Sequence, residues 1–266
     1  QFQDRRIRPL CHPSRLLFRR PRDPVTGGVM TSTPDDPLVT TLVEQLQATR
    51  IAERDVFGSI QPDVRDRPMR PNDWSPKDHQ AHLTAWKARQ ADRINAAGRG
   101  EVLASDDRET DEINAELQAT RADWSWEAID READAVSEQL EAAIRDAGSA
   151  MLRESEQLVG QIFGNGASHA LTHFAWLVDA QVGVDEARVA TFFDEHEREL
   201  SEAALPDADR GVGLYNLACA HAVAGRLDRA RALLRVAFPL RPDLGEFARG
   251  DSDLIELRDE LQSLVG

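Results

Sequence analysis

Cysteine is nearly absent: Cys11 and Cys219 are the two thiols in 266 residues. Two cysteines cannot build a disulfide framework, and their scarcity predicts a reducing, cytoplasmic setting. Positive charge is also short. The 32 Lys and Arg face 47 Asp and Glu, giving a formal net charge of −15. A surface of that sign repels phosphate backbones and anionic headgroups, which argues against nucleic acid and membrane partners. No apolar run is long enough to span a bilayer. Strand patterns are missing, because no alternating apolar run is bounded by turn residues on both sides. There is no glycine-rich phosphate loop, no Gly-x-Ser-x-Gly elbow and no Cys/His nucleophile pattern.

What remains is helical. Hydrophobic residues make up 41% of the chain, enough for a sizeable core and for one or two domains. The first 29 residues stand apart, with seven arginines, two acids and four prolines. Residues 1–32 are predicted to be a disordered basic extension. Met30 is read as the natural start, and a basic transit-type segment is the alternative.

From there the helical signals come in order. Asp35-Asp36-Pro37 starts a helix over about 36–57, with Leu38, Leu42, Leu46, Val56 and Phe57 at helical spacing. A proline-rich loop covers Gly58 to Asp73. Ser75-Pro76-Lys77-Asp78 starts a second helix running to Gly98. A polar linker over 99–108 precedes Thr110 to Leu117. Ser125 opens a segment whose stripe is Trp126, Ile129, Ala133, Val136, Leu140 and Ile144; the acids between them form a solvated face. Residues 148–165 are predicted to be a short helix and turns. A further helix spans Asp185 to Ala204, with His196 read as surface or packing. Pro206 to Gly211 marks a boundary.

Candidate chemistry centres on Gly164 to Leu177, read as the start of a helix that continues to about Val182. His169 and His173 are four residues apart, one turn along a single face. Such a pair either offers two nitrogens to one metal ion or sits in an apolar helix as hydrogen-bonded core; the spacing alone does not choose. In the second helix, His82 and Trp86 also share a face. His79 is a rival to His82, ranked lower because it lies in the first turn, where exposure is common.

The segment Trp74-Ser-Pro-Lys-Asp-His-Gln-Ala-His-Leu-Thr-Ala-Trp86 resembles the Trp-Ser-x-x-Asp…Ala-His-Leu…Trp signature of the DinB-like superfamily, closest to its ClbS/DfsB-like branch. Thr110-Asp-Glu-Ile-Asn-Ala-Glu-Leu117 and Trp126-Glu-Ala-Ile129 are similar to that branch as well. The resemblance covers roughly residues 36–183 and implies a four-helix bundle. It also implies one divalent metal held by His82, His169 and His173. Three imidazoles leave open positions, unlike a closed structural zinc site, and suit Zn, Ni or Fe alike. A metal-bound water becomes nucleophilic near neutral pH, and an open site also accepts a thiolate. The superfamily includes transferases and isomerases that use low-molecular-weight thiols, and the branch includes a self-resistance protein that opens a reactive cyclopropane. Trp74, Trp86, Trp126 and Trp176 are read first as core, with Trp86 and Asn114 as candidates to line a pocket.

A second resemblance covers residues 211–242. Leu214, Leu217, Ala218, His221, Ala230, Leu234, Ala237 and Pro242 match the spacing of one tetratricopeptide (TPR) repeat, turning at Gly225. Asp251 to Arg258 is predicted to open a final covering helix, and Cys219 reads as a small buried hydrophobe. The expected organisation is all-α. It comprises the extension over 1–32, a DinB-like bundle over 33–183, a connector over 184–208 and a TPR-like module over 209–266. The expected function is a metal-dependent transferase or hydrolase acting on a small electrophilic substrate, with a thiol as cosubstrate. The alternative is a non-enzymatic binder that sequesters a small molecule or holds a protein partner through the repeat; a homodimer is a further expectation.

Overall fold

The computed structural model describes residues 36–70, 74–101, 108, 110–154, 156–203 and 205–265. The predicted extension over 1–32 and most of the linker over 99–108 lie outside the described residues. Among those described the regular structure is helical, with no strand, as the all-α expectation requires. No described helix is long and apolar enough to cross a membrane.

Local chemistry accounts for the helix starts. Helix α1 (Pro37–Gly58) begins where Asp36 is extended and its Oδ1 accepts the Leu38 N–H at 2.9 Å. Helix α2 (Pro76–Gly98) opens on a complete capping box. Ser75 Oγ accepts from the Asp78 N–H, and the Asp78 carboxylate accepts from the Ser75 N–H. Helix α3 (Thr110–Ala119) is short. Helix α4 (Trp126–Glu154) buries the whole predicted stripe and kinks at Gly148, where φ is 64°.

The turns expected over 148–165 are replaced by helix. Helix α5 (Glu156–Phe163) passes through a π turn (Gly164–Ser168) directly into α6 (His169–Asp179). Gly164, Asn165, Gly166, Ala167 and Ser168 are all buried, so packing overrides their poor helix propensity. Helix α7 (Glu186–Glu202) is capped by Asp185. Helices α8 (Asp207–Val223) and α9 (Leu227–Leu240) form a hairpin through Gly225, whose φ is 74°. The chain ends in α10 (Leu244–Ala248), a 3₁₀ turn (Ser252–Leu257) and α11 (Leu261–Val265). The single final helix expected from Asp251 is thus a capped 3₁₀ turn followed by a separate short helix. Asp251 is tied down there, accepting from the Tyr215 hydroxyl at 2.6 Å and from the Asp253 N–H at 3.0 Å.

Packing places α6 at the centre. Helix α2 lies along α4, α1 packs on α4 and α7, and α6 touches α1, α2, α7 and α8. Enclosure on several sides explains why α6 is apolar around most of its circumference. Helix α8 comes close enough that a Cβ on Gly213 would stand 2.6 Å from Leu200 and 2.7 Å from the Phe163 ring. Only glycine permits that approach to α5 and α7.

Candidate metal centre

Helix α6 carries His169 and His173 on one face, and α2 brings His82 against them. The Nε2 of His169 is 3.3 Å from Nε2 of His82 and 3.2 Å from Nε2 of His173. One nitrogen from each ring lies within 4.8 Å of the other two. Zn–N bonds of about 2.0–2.1 Å at tetrahedral angles put neighbouring nitrogens roughly 3.3–3.4 Å apart. The donor set therefore fits a divalent ion in chemistry, and two of its three nitrogen pairs stand at that spacing. His82, His169 and His173 are 6%, 7% and 2% exposed, so any opening to solvent is narrow.

The π turn contributes to this aim. It inserts one residue into the helical path, which rotates the downstream helix by about 100°. The backbone N–H of His169 bonds to the carbonyl of Gly164, five residues back. Below it, Ser168 Oγ accepts from Asn216 Nδ2 of α8 at 3.1 Å, and Asn165 Nδ2 donates to Gln90 Oε1 of α2 at 3.2 Å. Two neighbouring helices thus grip the turn that phases the histidines.

Aromatic rings wall the cluster. Trp74 lies 4.7 Å from the His82 ring and runs nearly parallel to His173 at 6.4 Å; Trp176 meets His173 edge-on at 5.1 Å. Trp86 stands 6.2 Å from His82, and its Nε1–H donates to Asn114 Oδ1 at 3.1 Å. Trp86 therefore borders His82, and Asn114 is joined to that edge of the cluster through Trp86. Trp126 is elsewhere, edge-on to Phe57 and under the Arg65 guanidinium.

Electrostatics keep His169 neutral. Burial, then the Lys87 ammonium and His79, hold it down to about 3. A neutral imidazole is the form that ligates a cation. Lys87 is itself buried and donates to Glu53 at 2.5 Å. Burial pushes Lys87 down, against the pull of Glu53.

His79 departs from the exposure expected of a first-turn residue. It is wholly buried, with its Nδ1 2.6 Å from Nδ1 of His173. The capping box fixes the first turn of α2 against the core, which is why position in the helix misleads. His196, expected at the surface or in packing, is packing: 1% exposed and stacked on Phe163 at 5.8 Å. Sequence reasoning misses Glu53, Lys87, Ser168 and Asn216. Glu53 and Lys87 carry a signal, since each is a charge at an apolar-stripe position, between Leu46 and Val56 and between Leu83 and Ile94. No protein-family model, curated protein or solved structure matches this chain.

Proposed function

We propose that this chain is a divalent-metal-dependent enzyme acting on small electrophilic molecules, as a thiol-dependent transferase or a hydrolase. In this reading residues 33–183 form a DinB-like four-helix bundle, and α8 and α9 are a single TPR-like repeat docked on it. The observation that carries the reading is the meeting of the His82, His169 and His173 Nε2 atoms at 3.2–3.3 Å from the central one. These three residues would hold the ion, and a bound ion would supply Lewis acidity there. The chain's own residues supply the rest. Trp74, Trp86 and Trp176 restrict the approach and limit water, and the neutral state of His169 holds a ligand lone pair ready. The repeat-like hairpin's task is to brace the π turn through Asn216.

Metal content by mass spectrometry on untagged protein tests this, with His82→Ala, His169→Ala and His173→Ala alongside. About one ion per chain, lost in each variant while circular dichroism stays helical, is the expected result. Turnover of a thiol and electrophile panel beyond one equivalent then separates an enzyme from a sequestering protein, which stops at one. A wild type without metal after reconstitution overturns the metalloenzyme reading.

A further inference from the structure

His79 has no task in the metal reading so far. It is 0% exposed, and Trp74 and Trp176 wall its ring at 5.4 and 6.0 Å. Its Nδ1 stands 2.6 Å from Nδ1 of His173, while its Nε2 meets no hydrogen-bond partner among the described residues. Two ring nitrogens so close share one proton: one donates N–H and the other accepts.

Which ring donates is coupled to the far side of His173. With a proton on its Nε2, His173 must accept at Nδ1, and His79 Nδ1 is the donor. With the Nε2 lone pair committed to a cation, the proton of His173 sits on Nδ1. His79 Nδ1 then accepts, and His79 carries its own proton on Nε2. Both arrangements hold two protons on two neutral rings, so they balance. One proton crosses from His79 Nδ1 to His173 Nδ1. The two rings hold the same number of protons in both arrangements.

We propose that His79 is a positioning residue of the metal centre, accepting the Nδ1–H of His173 and so holding that ring with Nε2 turned to the ion. The proposal rests on the metal reading of His82, His169 and His173. Ligating histidines are commonly oriented by an acceptor on their other nitrogen, and loss of that acceptor weakens metal binding. Here the acceptor is a second imidazole, locked by burial between two tryptophans. His79 lies three residues before His82 on the same helix face. One turn of α2 thus supplies both a ligand and the group that orients another ligand across the interface.

The test is zinc titration of the full chain against a competing chelator, using wild type, His82→Ala, His79→Phe and His79→Asn. Phenylalanine keeps a buried planar ring and removes the acceptor; asparagine places an amide oxygen near the position of Nδ1. The expected order is one tight zinc in wild type, none in His82→Ala, and binding weakened about 10–100-fold in His79→Phe. His79→Asn should recover most of the affinity. Long-range ¹H–¹⁵N correlation spectra of zinc-loaded wild type should show His79 protonated at Nε2. Unchanged affinity in His79→Phe, or a zinc-loaded His79 protonated at Nδ1, overturns the positioning role and leaves the metal reading standing. A wild type that binds no zinc overturns both. Should His79→Phe fail to fold, the tautomer measured on wild type decides.

Discussion

Replacing His196 with phenylalanine removes a titrating group from the interior while keeping a ring in the stack. The native imidazole lies on Phe163 at 5.8 Å with 16° between planes, and tilts against Phe192 at 5.7 Å. Neither ring nitrogen has a hydrogen-bond partner among the described residues. Burial alone holds the group at about 4 against an ordinary 6.5. Between those values the unfolded chain binds a proton that the native ring refuses, so stability rises with pH. The contribution is fully present above pH 6.5 and is lost as pH falls toward 4. One pKa unit corresponds to about 1.36 kcal/mol, so lowering the pH from 8 to 5 removes about 2 kcal/mol through this ring. The assay is urea unfolding at both pH values with a chelator present, comparing wild type with His196→Phe. His221, also held at about 4 by burial and then by Arg226 and Arg229, is common to both and cancels. The variant should lose about 2 kcal/mol less than wild type over that interval. Because phenylalanine is the larger ring, His196→Leu serves as a second variant without overpacking. Equal pH losses in wild type and both variants refute the reasoning.

Lys87→Met should destabilise by about 3 kcal/mol, because among the described residues it leaves the buried Glu53 with the more distant Arg50 Nη1 at 3.7 Å. Adding Glu53→Gln should restore most of that loss in urea unfolding, and a double variant no better than the single one sinks the paired-charge account. Gly213→Ala gains helix propensity of about 1 kcal/mol, yet forces contacts at 2.6–2.9 Å with Leu200 and Phe163, for a net loss of about 1–2 kcal/mol. Gly58→Ala, where an added Cβ meets nothing within 4 Å, is the control and should leave the urea midpoint unchanged or slightly raised.

The helix starts are legible in the sequence because caps are local. Asp36, Ser75 with Asp78, and Asp185 each satisfy N–H groups within three residues, so short sequence windows contain the cause. The α4 stripe is legible for a similar reason, since its period is written in one helix. Residues 148–165 are not, because glycines there signal turns unless burial compensates, and much of that burial is set by α1, α2 and α8, far away in sequence. The spatial meeting of the three histidines depends on a resemblance, because spacing relates only residues on one helix. His79 shows the limit most directly. Its spacing to His82 and Trp86 places it on the site face, but the expectation of exposure in the first turn outweighs that periodicity.

The position of α8 changes what a repeat-like hairpin can do in this chain. A helical repeat that works as a peptide groove must leave one helix face open. Here α8 is committed: Leu214, Tyr215, Leu217, Ala218, Cys219 and Ala220 are all buried, and Asn216 reaches Ser168. Ser168 immediately precedes His169, so the grip of α8 acts one residue from a candidate ligand. Movement of α8 away from α6 would break the Asn216 bond, one of the two side-chain bonds that grip the π turn, whose extra residue sets the direction of His169 and His173. The Asn216–Ser168 bond therefore links this hairpin mechanically to the candidate metal centre. The same link gives the hairpin a use without any partner, as the fixed wall against which the histidine helix is phased.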